Sequence, residues 1–132
     1  MEYTQEEKKA YFKRLRFRWE EAKKIADHDA IGAIIKSHGL NISITSFFIV
    51  HSQMQAQGLE GLPYLDMKTF KGWKENGFQV KKGEHAKAES ITWKGPGGKE
   101  IEEIDGTLEK KGFIFPKVYK LFHRSQVEEI KL

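Results

Sequence analysis

Residues Tyr64 to His85 read YLDMKTFKGWKENGFQVKKGEH, and the fold turns on them. Asp66 is a residue type that caps a helix N-terminus, so the run to Asn76 predicts a helix, with Gly77 as its left-handed terminator. From Phe78 the residues favour extended chain, and Lys81-Lys82-Gly83-Glu84 reads as a turn between strands. The stretch thus marks where a helical half gives way to a β half.

Upstream, Thr4 and Glu7 have the spacing of a capping box. Phe12, Leu15, Trp19, Ala22 and Ala26 then recur every three or four residues, which predicts an amphipathic helix to about residue 26. Its opposite face carries Lys9, Lys13, Arg14, Arg16 and Lys24, and the helical angle puts Phe17 among them. A second short helix is expected from Asp29 to Ser37, closed by Gly39. Residues 43–57 are mixed. Ile44, Phe47, Phe48, Ile49 and Val50 favour a strand, whereas Ser43 can cap, residues 53–57 suit a helix and Gly58 suits its end. The length exceeds one strand, so a buried helix is the reading adopted.

Downstream, strands are expected at Phe78 to Val80, Ala86 to Trp93, Ile101 to Ile104 and Gly112 to Phe122. Gly95-Pro96-Gly97-Gly98 is a turn signal, and Lys99 to Lys111 reads as a solvated excursion. Pro116 cannot donate to a ladder and marks an edge, a bulge or a break. Helices first and strands afterwards predict an α+β domain, with N-terminal helices followed by a small antiparallel β-sheet.

Bulk composition bounds the function. A chain of 132 residues, 39% hydrophobic and 12% aromatic, can bury one core, so residues 1–132 are read as a single domain. The 23 basic and 19 acidic residues give a net charge of +4, which permits an anionic partner without requiring one. The absence of cysteine excludes disulfides, thiol catalysis and cysteine zinc sites. No apolar run reaches the roughly 18 residues of a membrane span, and the N-terminus does not resemble a signal peptide. A soluble, cytoplasmic protein without a membrane partner is the expectation.

Catalytic and metal motifs find no support. The histidines at 28, 38, 51, 85 and 123 form no His-Glu-x-x-His, and Asp27-His28-Asp29 reads better as a helix junction than as metal ligands. Gly95 to Lys99 lacks the Ser or Thr of a phosphate loop, and Glu100 would repel phosphates. Glu102 and Glu103 sit in an exposed charged run and receive no acid–base role. The reading is therefore a non-enzyme with no cofactor and no metal.

Binding surfaces do better, because aromatic rings stack on bases while cations neutralise phosphates. Lys81 and Lys82 project from a turn, near Lys74 and Lys87. Phe70 and Trp73 share a helix face and serve either as core or as stacking rings. Arg14 and Arg18 flank Phe17, which either tucks against a neighbour or joins a stacking stripe. On the last strand Lys117, Tyr119 and Leu121 share one face and Val118, Lys120 and Phe122 the other, with Arg124 beyond. Only one set is expected to face solvent. The candidate nucleic-acid-binding residues are thus Lys81, Lys82, Trp73, Lys74, Lys87, Lys117, Tyr119, Lys120, Arg124, Arg14 and Arg18.

Three blocks between about residues 40 and 127 resemble the N-terminal domain of the plasmid antirestriction protein ArdC and its relatives. The first runs from Ser43 to Gln53. The second is Trp73, Gly77, Val80, Lys82, Gly83 and Glu84. The third runs from Tyr119 to Gln126. Two family asparagines are replaced, by Ser46 and His123. The resemblance implies a domain of phages and mobile elements that binds single-stranded DNA with little sequence specificity, in antirestriction or counter-defence inside a bacterial host. Large relatives add a metallopeptidase-like domain, and no peptidase activity is expected here. The rival reading is a protein that inhibits a host defence complex by direct contact, as an anti-CRISPR does, and the acidic Glu100 to Asp105 run suits it. A third is an accessory domain of a primase or relaxase.

Overall fold

A computed structural model describes residues 4–95, 100–101 and 114–131. Three short side chains start its three long helices. Thr4 accepts from the Glu7 N–H at 3.1 Å and opens α1 (Gln5–Ile25). Asp27 accepts from Ala30 N–H at 3.0 Å and opens α2 (His28–Ser37), while His28 Nε2–H donates to the Lys23 carbonyl at the junction. Ser43 accepts from Ser46 N–H at 3.1 Å and opens α3 (Ile44–Ala56). Each bond satisfies an amide that the helix itself leaves without a partner. The helix reading of residues 43–57 is therefore the observed one, and Gly58 follows its end at φ +67°.

Next come β1 (Met67–Lys68), α4 (Phe70–Glu75), β2 (Phe78–Val80), β3 (Ala88–Lys94), β4 (Glu100–Ile101) and β5 (Phe115–His123). A 3-10 turn (Arg124–Gln126) and β6 (Val127–Glu129) complete the described chain. The architecture is α+β. A four-stranded antiparallel sheet has the order β1-β5-β3-β4, and β2 pairs with β6 in a second small sheet. The expected turn at residues 95–98 and the excursion at 99–111 lie almost wholly outside the described residues, as does the start of the strand expected from Gly112. Pro116 sits opposite Trp93, on a stretch of β5 that β1 does not reach.

The cap of α4 differs from expectation. Thr69, not Asp66, accepts from Gly72 N–H at 3.0 Å. Met67 and Lys68 are already committed to the ladder with His123 and Phe122, so the helix begins three residues later. Asp66 instead clasps two segments, accepting from Leu62 N–H at 2.9 Å and from Arg124 Nε–H at 2.7 Å. Gly61, at φ +99°, leaves space that a Cβ would take from the Asp66 carboxylate.

The sheet core is built around α3. At Trp93 and Lys94 the outer edge of β3 pairs with β4, but at Glu89 it meets α3. There the Gln53 amide acts as a substitute strand: Nε2–H donates to the Glu89 carbonyl at 2.7 Å and Oε1 accepts from Glu89 N–H at 3.1 Å. Gln57 donates to the Lys87 carbonyl at 2.6 Å. Because α3 lies along an edge, it must bury more than one side. Ile49 packs with Ile91, Trp93, Leu15, Trp19 and Ala22, whereas Val50 and Met54 pack with Ala88, Leu121 and Met67. Phe47 joins Ala26 and Ile31 beneath α2. From Ile44 to Val50 no residue of the helix is exposed, as a position covered on more than one side requires, and this explains the strand-like composition of the segment.

Candidate nucleic-acid interface

The last strand was expected to show one face to solvent; it shows parts of both. Ile91 and Val118 face α1, which covers the middle of their side of the sheet. The same side is open further along, where Lys120 is exposed and Phe122 half-buried. On the opposite side Leu121 is buried, Tyr119 is half-covered, and Phe115 and Lys117 are exposed. The cover there is Val50 and Met54 of α3, with Tyr64 packed against the same cluster. Cover thus comes from α1 on one face and from α3 with the Tyr64 loop on the other, over different stretches of the strand, so alternation along β5 alone could not decide exposure.

Tyr64 is held tightly. It adopts φ +66°, a left-handed conformation that costs a bulky residue about 1–3 kcal/mol. Its N–H donates to the Met67 carbonyl at 2.8 Å, and its hydroxyl shares a hydrogen bond with that of Tyr119. Burial first, and the Tyr119 hydroxyl second, raise its pKa well above the ordinary value, with Ser90 and Ser46 beside it opposing. Tyr119 is therefore bound inward at its polar end, and Lys117 stands exposed on this side. Ser46, where a family asparagine was expected, belongs to this interior.

The open part of the first face is different. Phe70 on α4 is 51% exposed and meets Phe122 edge-on, with ring centroids 6.4 Å apart. Lys74 Nζ stands 5.5 Å above the Phe70 ring. Lys68 is the ladder partner of Phe122, and Lys120 precedes Phe122 by two residues on the same face of β5. Across the strip, Arg18 on α1 and Lys120 grip opposite oxygens of Glu89, at 3.0 and 2.7 Å. Arg14, one turn before Arg18, is exposed but belongs to the other end of β5: it stacks on Tyr11, whose ring meets Phe12 and through it Phe115. Four elements thus bring cations to the edges of one exposed aromatic step.

Trp73 corrects an expectation. It stands among the candidate binding residues, but of the two rings that serve either as core or as stacking platform, Phe70 is the open one and Trp73 the core one. Trp73 is 1% exposed, its Nε1–H donates to the Phe122 carbonyl at 2.8 Å, and its ring packs on Phe78. Arg124 at 5.2 Å and Lys68 at 5.8 Å cover that ring, so no base can reach it. A six-residue helix has one side against the sheet, and the indole takes it because its N–H finds a carbonyl there. Trp73 supports Phe122 instead.

The remaining candidates divide. Arg124 is tied to Asp66 and to the Leu65 carbonyl. Burial acts to raise the Asp66 carboxyl, but the Arg124 guanidinium and the Leu62 N–H outweigh it and hold the pKa below the usual range. Lys68 is lowered by burial and by Arg124 nearby. Lys81, Lys82 and Lys87 are exposed on the loop between β2 and β3. That loop is fixed by the buried Gln126, whose Nε2–H donates to the His85 carbonyl and whose own carbonyl accepts from Lys81 N–H. Lys81 Nζ reaches the Ser125 carbonyl at 3.4 Å, which sets the loop beside the turn that carries Arg124. His123, the other position where the resemblance implies an asparagine, is buried. It accepts from Ser125 through Nδ1 and donates to the Glu60 carbonyl through Nε2.

Sequence reasoning missed Lys68, Phe122 and Glu89 as parts of this surface. Lys68 carried a signal in its alternation with Met67; Glu89 carried none, because only the fold brings Arg18 and Lys120 to it. Phe17 is 66% exposed, so it stands out among the cations of α1 and does not tuck against a neighbour. No helix among the described residues is long and apolar enough to cross a membrane. No protein-family model matches this chain, and neither a curated protein nor a solved structure matches it.

Proposed function

We propose that the protein binds single-stranded DNA with little sequence preference, acting by binding and not by catalysis, in the counter-defence of a mobile element. The observation that carries the reading is the exposed Phe70–Phe122 step, bordered by Lys68, Lys74, Lys120 and Arg18. A ring open to solvent accepts any base on its face, and the cations follow the phosphates without reading sequence. The resemblance of Ser43–Gln53, Trp73–Glu84 and Tyr119–Gln126 to the antirestriction domains points to the same ligand. Lys81 and Lys82 extend the cationic track past Arg124.

The test is fluorescence anisotropy of a labelled oligothymidylate at low and moderate salt. Binding should weaken as salt rises, with a log–log slope of about −0.7 per neutralised phosphate. Replacing Lys81 and Lys82 by Ala should weaken all sequences about equally. Absence of binding at tens of micromolar protein in low salt sinks the proposal.

A second reading rests on α1. Phe17 and Ile25, 66% and 68% exposed, stand two turns apart on the outer surface of that helix. Such residues suit contact with a host defence protein. A pull-down from nuclease-treated host lysate separates the readings, since a partner bridged by DNA disappears and a direct one stays.

A further inference from the structure

Among the described residues, Glu89 is a carboxylate on the open strip that bonds two cations from different elements. Arg18 Nη1 bonds Oε1 at 3.0 Å and Lys120 Nζ bonds Oε2 at 2.7 Å. Neither pair is deeply buried: the side chains of Arg18, Lys120 and Glu89 are 35%, 63% and 32% exposed. The backbone of Glu89 is fixed on both its N–H and its carbonyl by the Gln53 amide, so the carboxylate is presented from a rigid point. An anion with two oxygens, each held by a separate cation at the edge of an aromatic step, has the contacts a phosphodiester would make.

We infer that Arg18 and Lys120 form a phosphodiester subsite, and that Glu89 fills it until nucleic acid displaces the carboxylate. This deepens the single-strand reading and rests on it. Glu89 then has two consequences. It keeps Arg18 and Lys120 aligned while the site is empty, and it competes with the incoming phosphate, which weakens binding and speeds release. Exposed ion pairs are individually weak, so a phosphate drawn by the rest of the strip can replace the carboxylate.

The experiment compares Glu89→Gln with the wild-type chain in anisotropy titrations against an oligothymidylate of about 12 nucleotides. Glutamine is isosteric and leaves the bonds from Gln53 intact, because those are made to the backbone. The variant is expected to bind about three- to ten-fold tighter at low salt. Its salt slope should steepen by about 0.7, the increment of one charge. Both gains should vanish in a background carrying Arg18→Ala and Lys120→Ala. Equal or weaker binding by the variant overturns the subsite while leaving the single-strand reading intact. A gain that persists without the two cations also overturns it, since the effect is then net charge alone. If neither chain binds, the single-strand reading falls and takes the subsite with it. A measurement free of variants uses the Arg18 guanidinium Nε–H resonance of the wild-type chain, which should shift on adding oligothymidylate. An unmoved resonance in the bound state overturns the assignment.

Discussion

At its C-terminal end β5 turns Lys120 and Phe122 to solvent; at its N-terminal end it turns out Phe115 and Lys117 from the other face. The two ends have similar chemistry, a cation beside a ring. They differ in what the rest of the molecule brings. At the first, α4 adds Phe70 and Lys74, β1 adds Lys68 and α1 adds Arg18. At the second, the nearby Tyr119 is turned inward to Tyr64, and the additions come from α1, with Phe12 against Phe115 and Tyr11 and Arg14 beyond it. A basic and aromatic composition is therefore not yet a surface. Convergence of several elements makes it one.

The strongest way to break the contrast is to remove the support under the first end. Trp73→Ala deletes a fully buried indole and its hydrogen bond to Phe122, and should cost about 3–5 kcal/mol of stability in chemical denaturation. Loss of DNA binding should accompany it, and an unchanged stability would show that Phe122 does not depend on the indole.

Phe70→Ala tests the platform itself. Half-exposed, it should change stability by under about 1 kcal/mol while weakening single-strand binding by about 1–3 kcal/mol. Equal affinity for the two chains would remove the aromatic step from the site.

The covered side can be opened by alkali. The folded-state pKa of Tyr64 is raised above that of the unfolded chain, so its contribution is fully present below about pH 10 and is lost as pH rises beyond it. Stability measured between about pH 9 and pH 12 should fall more steeply for the wild type than for Tyr64→Phe. Parallel curves would mean that the Tyr64 hydroxyl is not held neutral by its surroundings.

The smallest effect is expected at the other end of β5. Lys117→Ala should weaken binding only slightly and reduce the salt slope by no more than about 0.7, the value of a single phosphate contact. A loss as large as that of Phe70→Ala would move the interface to the Phe115 end and reverse the comparison.

Much of the fold could be read from residue order. Thr4 and Ser43 announce helix starts that depend only on a side-chain oxygen and the next turn's amides. The switch to strands after Gly77 is equally local, since a left-handed terminator and an extended apolar run need no distant partner. Asp66 shows the limit, because the same oxygen that could cap a helix found Arg124, 58 residues away, and Thr69 took the cap. Gln53 shows it too: nothing local says that its amide will pair with β3.

The sequence by itself determined the α+β class, the cysteine-free chemistry and the stock of cations and rings. Those follow from composition and from interactions within a few residues. Only the tertiary structure decided that Phe70 is open and Trp73 closed, that β5 exposes a different face at each end, and that Glu89 holds Arg18 and Lys120. Each of those depends on which distant element arrives to cover or to pair, and the short spacings that mark helices and strands carry no record of it.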